Sequence, residues 1–256
     1  MRWWQKIAEK WRAWDARCGY TCDFCGAEIF EYPTHRLCSE CERKLVQNEN
    51  NRACVKCGRK TVAMGVCLDC KQHLPAFTRG VSPLVYEGET CAFINRLKNG
   101  NRRLAWYLGE EMTKALSPLL SEINRGDEEI LLIPVPTSKE SLRERGYNQA
   151  QALAAAVEKT LLKSGVNALL DCEILQKSRS TKKQKHLGFA ERTENVAGAY
   201  HVHKRKACKG KTCVLIDDIM TTGATGNECA QHLLGAGAKT VVFLVGAALA
   251  EQVQKE

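Results

Sequence analysis

The sequence of 256 residues contains no apolar run close to the roughly 20 residues that a membrane-spanning helix needs. Its first twenty residues are charged throughout and lack the apolar stretch of a secretory signal, so we expect a cytoplasmic protein with no membrane span. No G-x-x-x-x-G-K-[ST] stretch is present, which excludes a P-loop nucleotide-binding protein. The content of hydrophobic residues is 44% and that of charged residues is 26%, which is typical of a soluble globular protein.

Cysteine is abundant, and eight of the fourteen cysteines form four Cys-x-x-Cys pairs. In a reducing compartment this spacing indicates metal binding rather than disulfides. The first pair recurs after 32 residues and the second after 29, because CDFCG matches CVKCG and CSEC matches CLDC. The eight residues are Cys22, Cys25, Cys38, Cys41, Cys54, Cys57, Cys67 and Cys70.

Zinc takes four soft ligands in a tetrahedron, and one Cys-x-x-Cys turn supplies two of them. Because the repeat is tandem, we expect the first four cysteines to hold one structural Zn²⁺ and the last four to hold a second, each in a zinc ribbon. A cross-braced pairing is the alternative, and His35 or His73 could replace a thiolate. The region has too few apolar residues to fold without its metal.

The formal net charge is +9, which falls to about +5 once two zinc sites with four thiolates each are counted. Residues 171–215 hold eleven Lys or Arg against four Asp or Glu, which favours a polyanionic ligand, either pyrophosphate or nucleic acid. Residues 1–75 hold thirteen Lys or Arg against nine Asp or Glu, and their net charge is about zero once the two zinc sites with four thiolates each are counted. The electrostatic case for DNA binding there is weak, and we favour a docking role.

The chain is expected to have three parts. Trp4, Ile7, Trp11 and Trp14 lie on one face of a predicted amphipathic helix at 1–20, which we interpret as packing on the next module. Contact with a membrane surface or with single-stranded nucleic acid is the alternative. The double zinc ribbon spans 21–75, and an α/β domain spans 76–256.

The α/β domain is predicted from apolar strands that alternate with helices. Their order implies a parallel sheet with helices on both faces, whose ligands lie beyond the carboxyl ends of the strands. The predicted strands are 130–136, 212–218 and 240–249, and the predicted helices are 147–165 and 225–237.

The clearest motif follows the strand at 212–218, which ends in Asp217 and Asp218 and leads through a short loop into a helix. The N–H groups of the loop and of the helix start converge, so we expect a cradle for one phosphate. The aspartates suit ribose hydroxyls, directly or through Mg²⁺. The alternative is a strand–turn–helix junction with threonine caps, which the cost of burying paired carboxylates disfavours. The loop residues are Thr221, Thr222, Gly223, Ala224 and Thr225.

This motif resembles the signature of type I phosphoribosyltransferases for 5-phosphoribosyl 1-pyrophosphate (PRPP), and the whole chain resembles the ComF family of competence-associated proteins. Residues 81–105, with Tyr86 and the Leu97–Lys98 pair, are similar to the family's leading segment. Residues 134–154 and 179–200 are similar to its pyrophosphate loop and flexible hood. The resemblance implies a type I phosphoribosyltransferase-like fold behind a small zinc-ribbon domain.

The resemblance also implies roles in PRPP binding. The threonine-rich loop would hold the 5-phosphate, and the two aspartates would hold the ribose hydroxyls with Mg²⁺. Thr137, Ser138 and Lys139 would form the pyrophosphate loop, with Arg143 and Arg145 close behind. The alternative for these arginines is a helix N-terminal segment exposed to solvent, but arginine is unfavourable at that positive helix end, which favours a bound anion.

A lid is implied by the hood segment, in which Arg179, Lys182, Lys183 and Lys185 would fold over the pyrophosphate. A solvated charged loop is the alternative. Ala224 departs from the glycine of many relatives, which is tolerable unless the position needs a positive φ.

Three functions are compatible with these features. The first is transfer of phosphoribosyl from PRPP to a nucleophile that the sequence does not identify. The second is a DNA-uptake accessory that binds single-stranded DNA or a competence helicase, with PRPP as a regulator. The third is a metal-stabilised sensor of PRPP.

Overall fold

A computed structural model of the chain describes residues 20–29, 36–49, 52–124, 128–178 and 196–252. The predicted helix at 1–20 lies outside this range except for its last residue. The predicted lid residues also lie outside it. They are Arg179, Lys182, Lys183 and Lys185.

Ten strands and eight helices form in the described part of the chain. The strands are β1 (Tyr20–Thr21), β2 (Glu28–Ile29), β3 (Arg79–Val81), β4 (Leu84–Val85), β5 (Ile130–Pro134), β6 (Ala168–Leu170), β7 (Leu175–Lys177), β8 (Tyr200–Val202), β9 (Thr212–Met220) and β10 (Thr240–Ala248). The helices are α1 (Ser39–Lys44), α2 (Leu68–Gln72), α3 (Glu89–Lys98), α4 (Leu104–Ile123), α5 (Lys139–Arg145), α6 (Gln149–Lys163), α7 (Arg205–Cys208) and α8 (Ala224–Gly235).

The central sheet has the strand order β3-β10-β9-β5-β6, and β4 also pairs with β10. Every pair in this sheet is parallel. The longest strands, β9 and β10, are neighbours inside the sheet. Because the strands are parallel, the carboxyl ends of β9 and its other neighbour β5 lie at the same edge of the sheet. The predicted parallel α/β sheet is confirmed, and the three predicted strands coincide with β5, β9 and β10.

Both faces of the sheet are buried, which explains why its strands are apolar without interruption. In β9, Val214 and Ile216 face one core cluster, while Cys213 and Leu215 face the other. The first cluster is covered by α3, α4 and α6, and the second by α8. The prediction of helices on both faces is therefore confirmed.

The two cysteine-rich modules extend these two cores. Cys22 and Cys41 belong to the first cluster, where Phe24 packs against Phe93 of α3 with ring centroids 5.5 Å apart. The four cysteines of the second module belong to the second cluster. The modules and the sheet thus share their hydrophobic cores. The domain boundaries predicted after residues 20 and 75 remain predictions.

None of the helices in the described ranges combines the length and the apolar character that crossing a bilayer requires.

Candidate functional site

A cleft of about 760 Å³ opens at the carboxyl ends of β5 and β9. It therefore lies where ligands of open parallel sheets bind. Ten of the predicted site residues line it: Thr137, Ser138, Arg145, Asp217, Asp218, Thr221, Thr222, Gly223, Ala224 and Thr225. Lys139 and Arg143 are exposed on α5 and stand outside the lining.

The loop after β9 is shaped by one glycine. Gly223 adopts φ +82° and forms the N-cap of α8, a backbone conformation that disfavours a side chain. Ala224 is the first helical residue, and among the described residues only glycines have positive φ. Alanine at this position is therefore tolerated. The Ala224 N–H donates to the Thr222 hydroxyl at 3.3 Å, which helps to hold the turn.

A second glycine brings the start of α8 close to the sheet. A Cβ added at Gly226 would lie 2.3 Å from the ring of Phe243, which is buried on β10 and also lines the cleft. Only glycine therefore permits this approach of the helix. The approach places the N-terminus of α8, where the helix dipole favours negative charge, at the edge of the cleft.

The two aspartates occupy different environments at the end of β9. Asp217 Oδ1 accepts the backbone N–H of Asp218 at 2.9 Å. Asp218 Oδ2 lies 3.1 Å from Lys98 Nζ, an ion pair without hydrogen-bond alignment, and has no hydrogen-bond partner among the described residues. Burial and the neighbouring Asp218 raise the pKa of Asp217 to about 8, although the N–H of Asp218 and the Lys98 ammonium oppose the rise.

This arrangement fits a divalent cation. Two adjacent carboxylates face one ammonium group, so their negative charge is only partly compensated when both are ionised. Carboxylate oxygens are the ligands that Mg²⁺ prefers, usually with waters and substrate oxygens.

Lys98 is held in place by contacts to the end of α3. The Tyr147 hydroxyl donates to the Leu97 carbonyl, and Gln149 Nε2 donates to the Lys98 carbonyl at 3.5 Å. Tyr86 also lines the cleft, and burial raises the pKa of its phenol, so it stays neutral. The lysine therefore reaches the aspartates from a fixed helix end.

The loop after β5 is fixed to its neighbours. The N–H of Val135 donates to the Ile216 carbonyl at 2.8 Å, and Asn148 Nδ2 donates to the Val135 carbonyl at 3.1 Å. The Ser138 hydroxyl accepts the N–H of Ser141 at 3.1 Å and so caps α5. This loop and the loop after β9 both line the same cleft.

The prediction for Arg143 and Arg145 was wrong in its helix position. Both lie in the last turn of the separate short helix α5, which ends at Gly146 in the left-handed conformation with φ +75°. Basic residues are favourable at a helix C-terminus, so their presence there does not by itself indicate an anion. Arg145 nevertheless lines the cleft.

The far wall is formed by Lys177 on β7 and Tyr200 on β8, which are paired in antiparallel register.

The eight cysteines form two tetrads in the sequential pairing that the repeat predicts. Within each tetrad all four Sγ atoms lie within 4.8 Å of one another. The Cys25–Cys38 and Cys57–Cys67 Sγ distances are both 3.7 Å, which matches the separation of about 3.8 Å expected for thiolates at 2.3 Å from a tetrahedral ion. His73 belongs to neither tetrad, and His35 lies outside the described residues.

Backbone N–H groups point at the tetrad sulfurs. Cys22 Sγ accepts the N–H of Cys25 at 3.5 Å and that of Cys38 at 3.4 Å. Burial raises the pKa of Cys22, but these donors outweigh it and lower the pKa to about 7. Cys54 Sγ accepts three such bonds, from Lys56, Cys57 and Cys67. In each tetrad these donors therefore stabilise the thiolate form of one cysteine, and the thiolate is the form that binds a metal ion.

A family model described as "PRTase ComF-like" matches residues 92–256. This match covers more than half of the chain and contains every residue of the cleft except Tyr86. The chain belongs to the ComF-like phosphoribosyltransferase family.

Individual relatives agree with this membership. The chain is 29% identical over 185 residues to the DNA utilization protein YhgH of Escherichia coli O157:H7, covering 68% of this chain and 74% of that protein. It is 32% identical over 112 residues to the competence protein ComFC of Bacillus subtilis, covering 43% and 41%. Among solved structures, it is similar to hypoxanthine-guanine phosphoribosyltransferase from Schistosoma mansoni in complex with IMP, with 15% identity, a TM-score of 0.32 and coverage of 56% and 54%.

Several cleft residues of this ComF-like protein had no role in the sequence-based prediction. Lys98 and Tyr86 stood in a segment that resembles the family, but nothing in the sequence placed them beside the aspartates. Asn148, Lys177 and Tyr200 also line the cleft and carried no separate signal. Their positions depend on which strands and helices become neighbours, and a sequence pattern does not contain that information.

Proposed function

We propose that this ComF-like protein binds PRPP with Mg²⁺ in the cleft and transfers its phosphoribosyl group to a nucleophile. One observation carries the proposal: the threonine-rich loop after β9, a pair of carboxylates and a second hydroxyl-bearing loop line a single cavity of about 760 Å³. PRPP has a phosphate, a diol and a pyrophosphate in the same order.

Each part of the ligand has a counterpart in the cleft. The 5-phosphate would bind the loop from Thr221 to Thr225, where N–H groups and hydroxyls meet at the start of α8. The ribose hydroxyls would bind Asp217 and Asp218. The pyrophosphate would bind Thr137 and Ser138. The positive charges of Lys98 and Arg145 would compensate the negative charge of the pyrophosphate. These assignments are supported by the residues that line the cleft.

Three residues of the predicted site remain predictions without support from the cleft. Lys139 and Arg143 are exposed outside its lining, and Arg179 lies outside the described residues.

The reaction is a displacement at the anomeric carbon. The bond from that carbon to the pyrophosphate oxygen breaks, and pyrophosphate leaves with the electron pair. The nucleophile forms the new bond and loses its proton. Lys98 and Arg145 would stabilise the growing negative charge on the leaving group, while the carboxylates face the ring as it becomes positive. Mg²⁺, when bound, would supply further charge compensation to the pyrophosphate.

The site test compares the wild type with Asp218→Asn by calorimetry with PRPP and Mg²⁺, and by release of pyrophosphate. We expect the substitution to weaken binding about tenfold or more, because a carboxylate ligand is lost. The matched control is Asp171→Asn, whose carboxylate pairs with Lys204 outside the cleft and whose loss should leave binding unchanged. Absence of any heat with metal-loaded wild type would contradict the proposal.

We propose Zn²⁺ as the ion of both tetrads, supported by four thiolates at tetrahedral spacing in each. Elemental analysis of purified protein should find two zinc ions per chain. One ion, or iron in their place, would contradict this assignment.

A second candidate function is a DNA-handling accessory, in which PRPP acts as a regulator. The names of two relatives, a DNA utilization protein and a competence protein, favour it. Single-stranded DNA or a helicase would then be the partner. Strand binding that persists in Asp218→Asn with a steep dependence on salt would support this candidate, while pyrophosphate release that needs no DNA would support the enzyme.

A further inference from the structure

A buried arginine connects the second cysteine module to the phosphate loop. The side chain of Arg59 is 6% exposed. Its Nη1 donates to Asp69 Oδ2 at 2.5 Å, and its Nη2 donates to the backbone carbonyl of Thr221 at 2.9 Å. Thr221 is the first residue of the loop, and it lies 162 residues away in the chain.

Other contacts fix the module on both sides of this bond. The Glu251 carboxylate, beyond β10, accepts the N–H groups of Val62 and Leu68 at 3.1 and 2.6 Å. Asn227 Oδ1, on α8, accepts the N–H of Ala76 at 2.7 Å. The module is therefore attached to the helix that follows the loop and to the strand beside it, so Arg59 reaches Thr221 from a fixed base.

The direction of the Thr221 carbonyl has a consequence for the cleft. In a planar trans peptide the C=O and the following N–H point in opposite directions. Because Arg59 holds the Thr221 carbonyl on the side of the module, the N–H of Thr222 points away from that side. The contact with Arg59 therefore fixes the direction of the Thr222 N–H, which the short loop does not fix by itself.

We propose that Arg59 is a positioning residue for the phosphate loop, and that the second metal module is thereby part of the ligand site. Arg59 fixes one peptide of the loop so that the N–H of Thr222 is available to the 5-phosphate. The inference rests on the proposed binding of PRPP. The arginine suits this task because its planar fork donates to two acceptors at once, whereas lysine offers a single point charge.

The metal also bears on this contact. Arg59 follows Cys57 by two residues, and a divalent ion with four thiolates leaves a net charge of −2 next to the guanidinium. That charge and the Asp69 carboxylate would together stabilise the buried guanidinium of Arg59, whose desolvation without such partners would be unfavourable. The first module instead contacts the turn between α3 and α4, where Asn101 Nδ2 donates to the Asp23 carbonyl at 2.5 Å.

The experiment separates the two halves of PRPP. Ribose 5-phosphate reports the loop at Thr221–Thr225, and inorganic pyrophosphate with Mg²⁺ reports the loop after β5. Each is titrated into wild type, Arg59→Met, Arg59→Lys and the control Arg52→Met. Arg52 is in the same module, but its side chain is 67% exposed and pairs only with Glu49 at 4.0 Å among the described residues.

We expect Arg59→Met to bind ribose 5-phosphate about tenfold more weakly, the effect of losing one charge-assisted hydrogen bond that orders the loop. Its affinity for pyrophosphate should stay within about twofold of wild type. Arg59→Lys should show a smaller loss for ribose 5-phosphate only, and Arg52→Met should match wild type. Zinc content should be equal in all four proteins.

A readout without ligand tests the same idea independently. Hydrogen exchange of a peptide that covers 221–223 should be faster in Arg59→Met, while a peptide that covers 137–138 should be unchanged. If wild type binds neither ligand but this exchange difference is found, the proposed function fails and the positioning role stands.

Two results would overturn the role of Arg59. One is wild-type affinity for ribose 5-phosphate together with wild-type exchange in Arg59→Met. The other is an equal loss of both ligands, which indicates general damage to the fold. If Arg59→Met does not retain its zinc, Arg59→Lys decides between these outcomes, because it keeps the positive charge beside the tetrad.

Discussion

Raising the pH from about 6 to about 9 should convert Asp217 from its protonated to its ionised form, because burial and the adjacent Asp218 raise its pKa to about 8. A protonated carboxyl group binds a cation poorly, so the complex with Mg²⁺ and PRPP should strengthen as the pH rises. An ordinary aspartate is already ionised at about pH 6, so it would give no such rise between about pH 6 and about pH 9.

The size of the effect follows from the fraction of Asp217 that is ionised. With a pKa of about 8, that fraction is about 1% at pH 6, about 9% at pH 7, one half at pH 8 and about 90% at pH 9. The affinity should therefore rise about tenfold in the first pH step and about fivefold in the second. It should change less than about twofold in the third.

The assay is calorimetry with PRPP at saturating Mg²⁺ in a series of buffers, with Asp217→Asn as the control. The variant should bind more weakly, and its pH profile should show only the dependence that comes from the ionisation of PRPP. The pH dependence of PRPP ionisation is common to both proteins and cancels in the ratio of their affinities. An equal slope in wild type and variant would refute the reasoning.

The same pKa predicts a change in stability without ligand. Because the folded pKa of Asp217 is raised, the folded state binds a proton that the unfolded state has released between about pH 4 and about pH 8. The free energy of unfolding therefore falls as the pH rises through this window. Asp217→Asn should have a higher melting temperature than wild type at about pH 8.5, an advantage that disappears near pH 4.

Three further expectations concern packing, charge and metal. Gly226→Ala should reduce the free energy of unfolding by about 2 kcal/mol and lower the melting temperature by about 4–8 °C, because its Cβ would overlap the Phe243 ring. Gly235→Ala on the same helix is the control: its Cβ would meet no atom within 4 Å, so it should be neutral or stabilising. A wild-type melting curve for Gly226→Ala would contradict the close packing. Lys98→Met should weaken binding of pyrophosphate and move the midpoint of the pH profile upward, because the Lys98 ammonium lowers the pKa of Asp217. An unmoved midpoint would show that Lys98 has no influence on Asp217. Removal of zinc by a strong chelator should lower the melting temperature of the whole chain in one transition, because each of the two cores contains cysteines of one tetrad. A second, unshifted transition in calorimetry would contradict this coupling.

Much of the fold was predictable because its signals are local. The apolar runs of β5, β9 and β10 and the helices that follow β5 and β9 were located to within a few residues. The sequential pairing of the cysteines followed from the tandem repeat. The short helix α5 was not predicted: the predicted helix began at residue 147, after the left-handed turn at Gly146, and corresponds to α6 alone.

The sequence by itself determined which chemical groups stand at the ends of the strands: two carboxylates and a threonine-rich turn after β9, and hydroxyls after β5. Only the tertiary structure decided which distant groups meet them. Lys98 reaches Asp218 from the end of α3, and Arg59 reaches the carbonyl of Thr221 from the second cysteine module. Such contacts join residues more than a hundred positions apart, and they depend on how helices and modules pack rather than on any local preference of the chain.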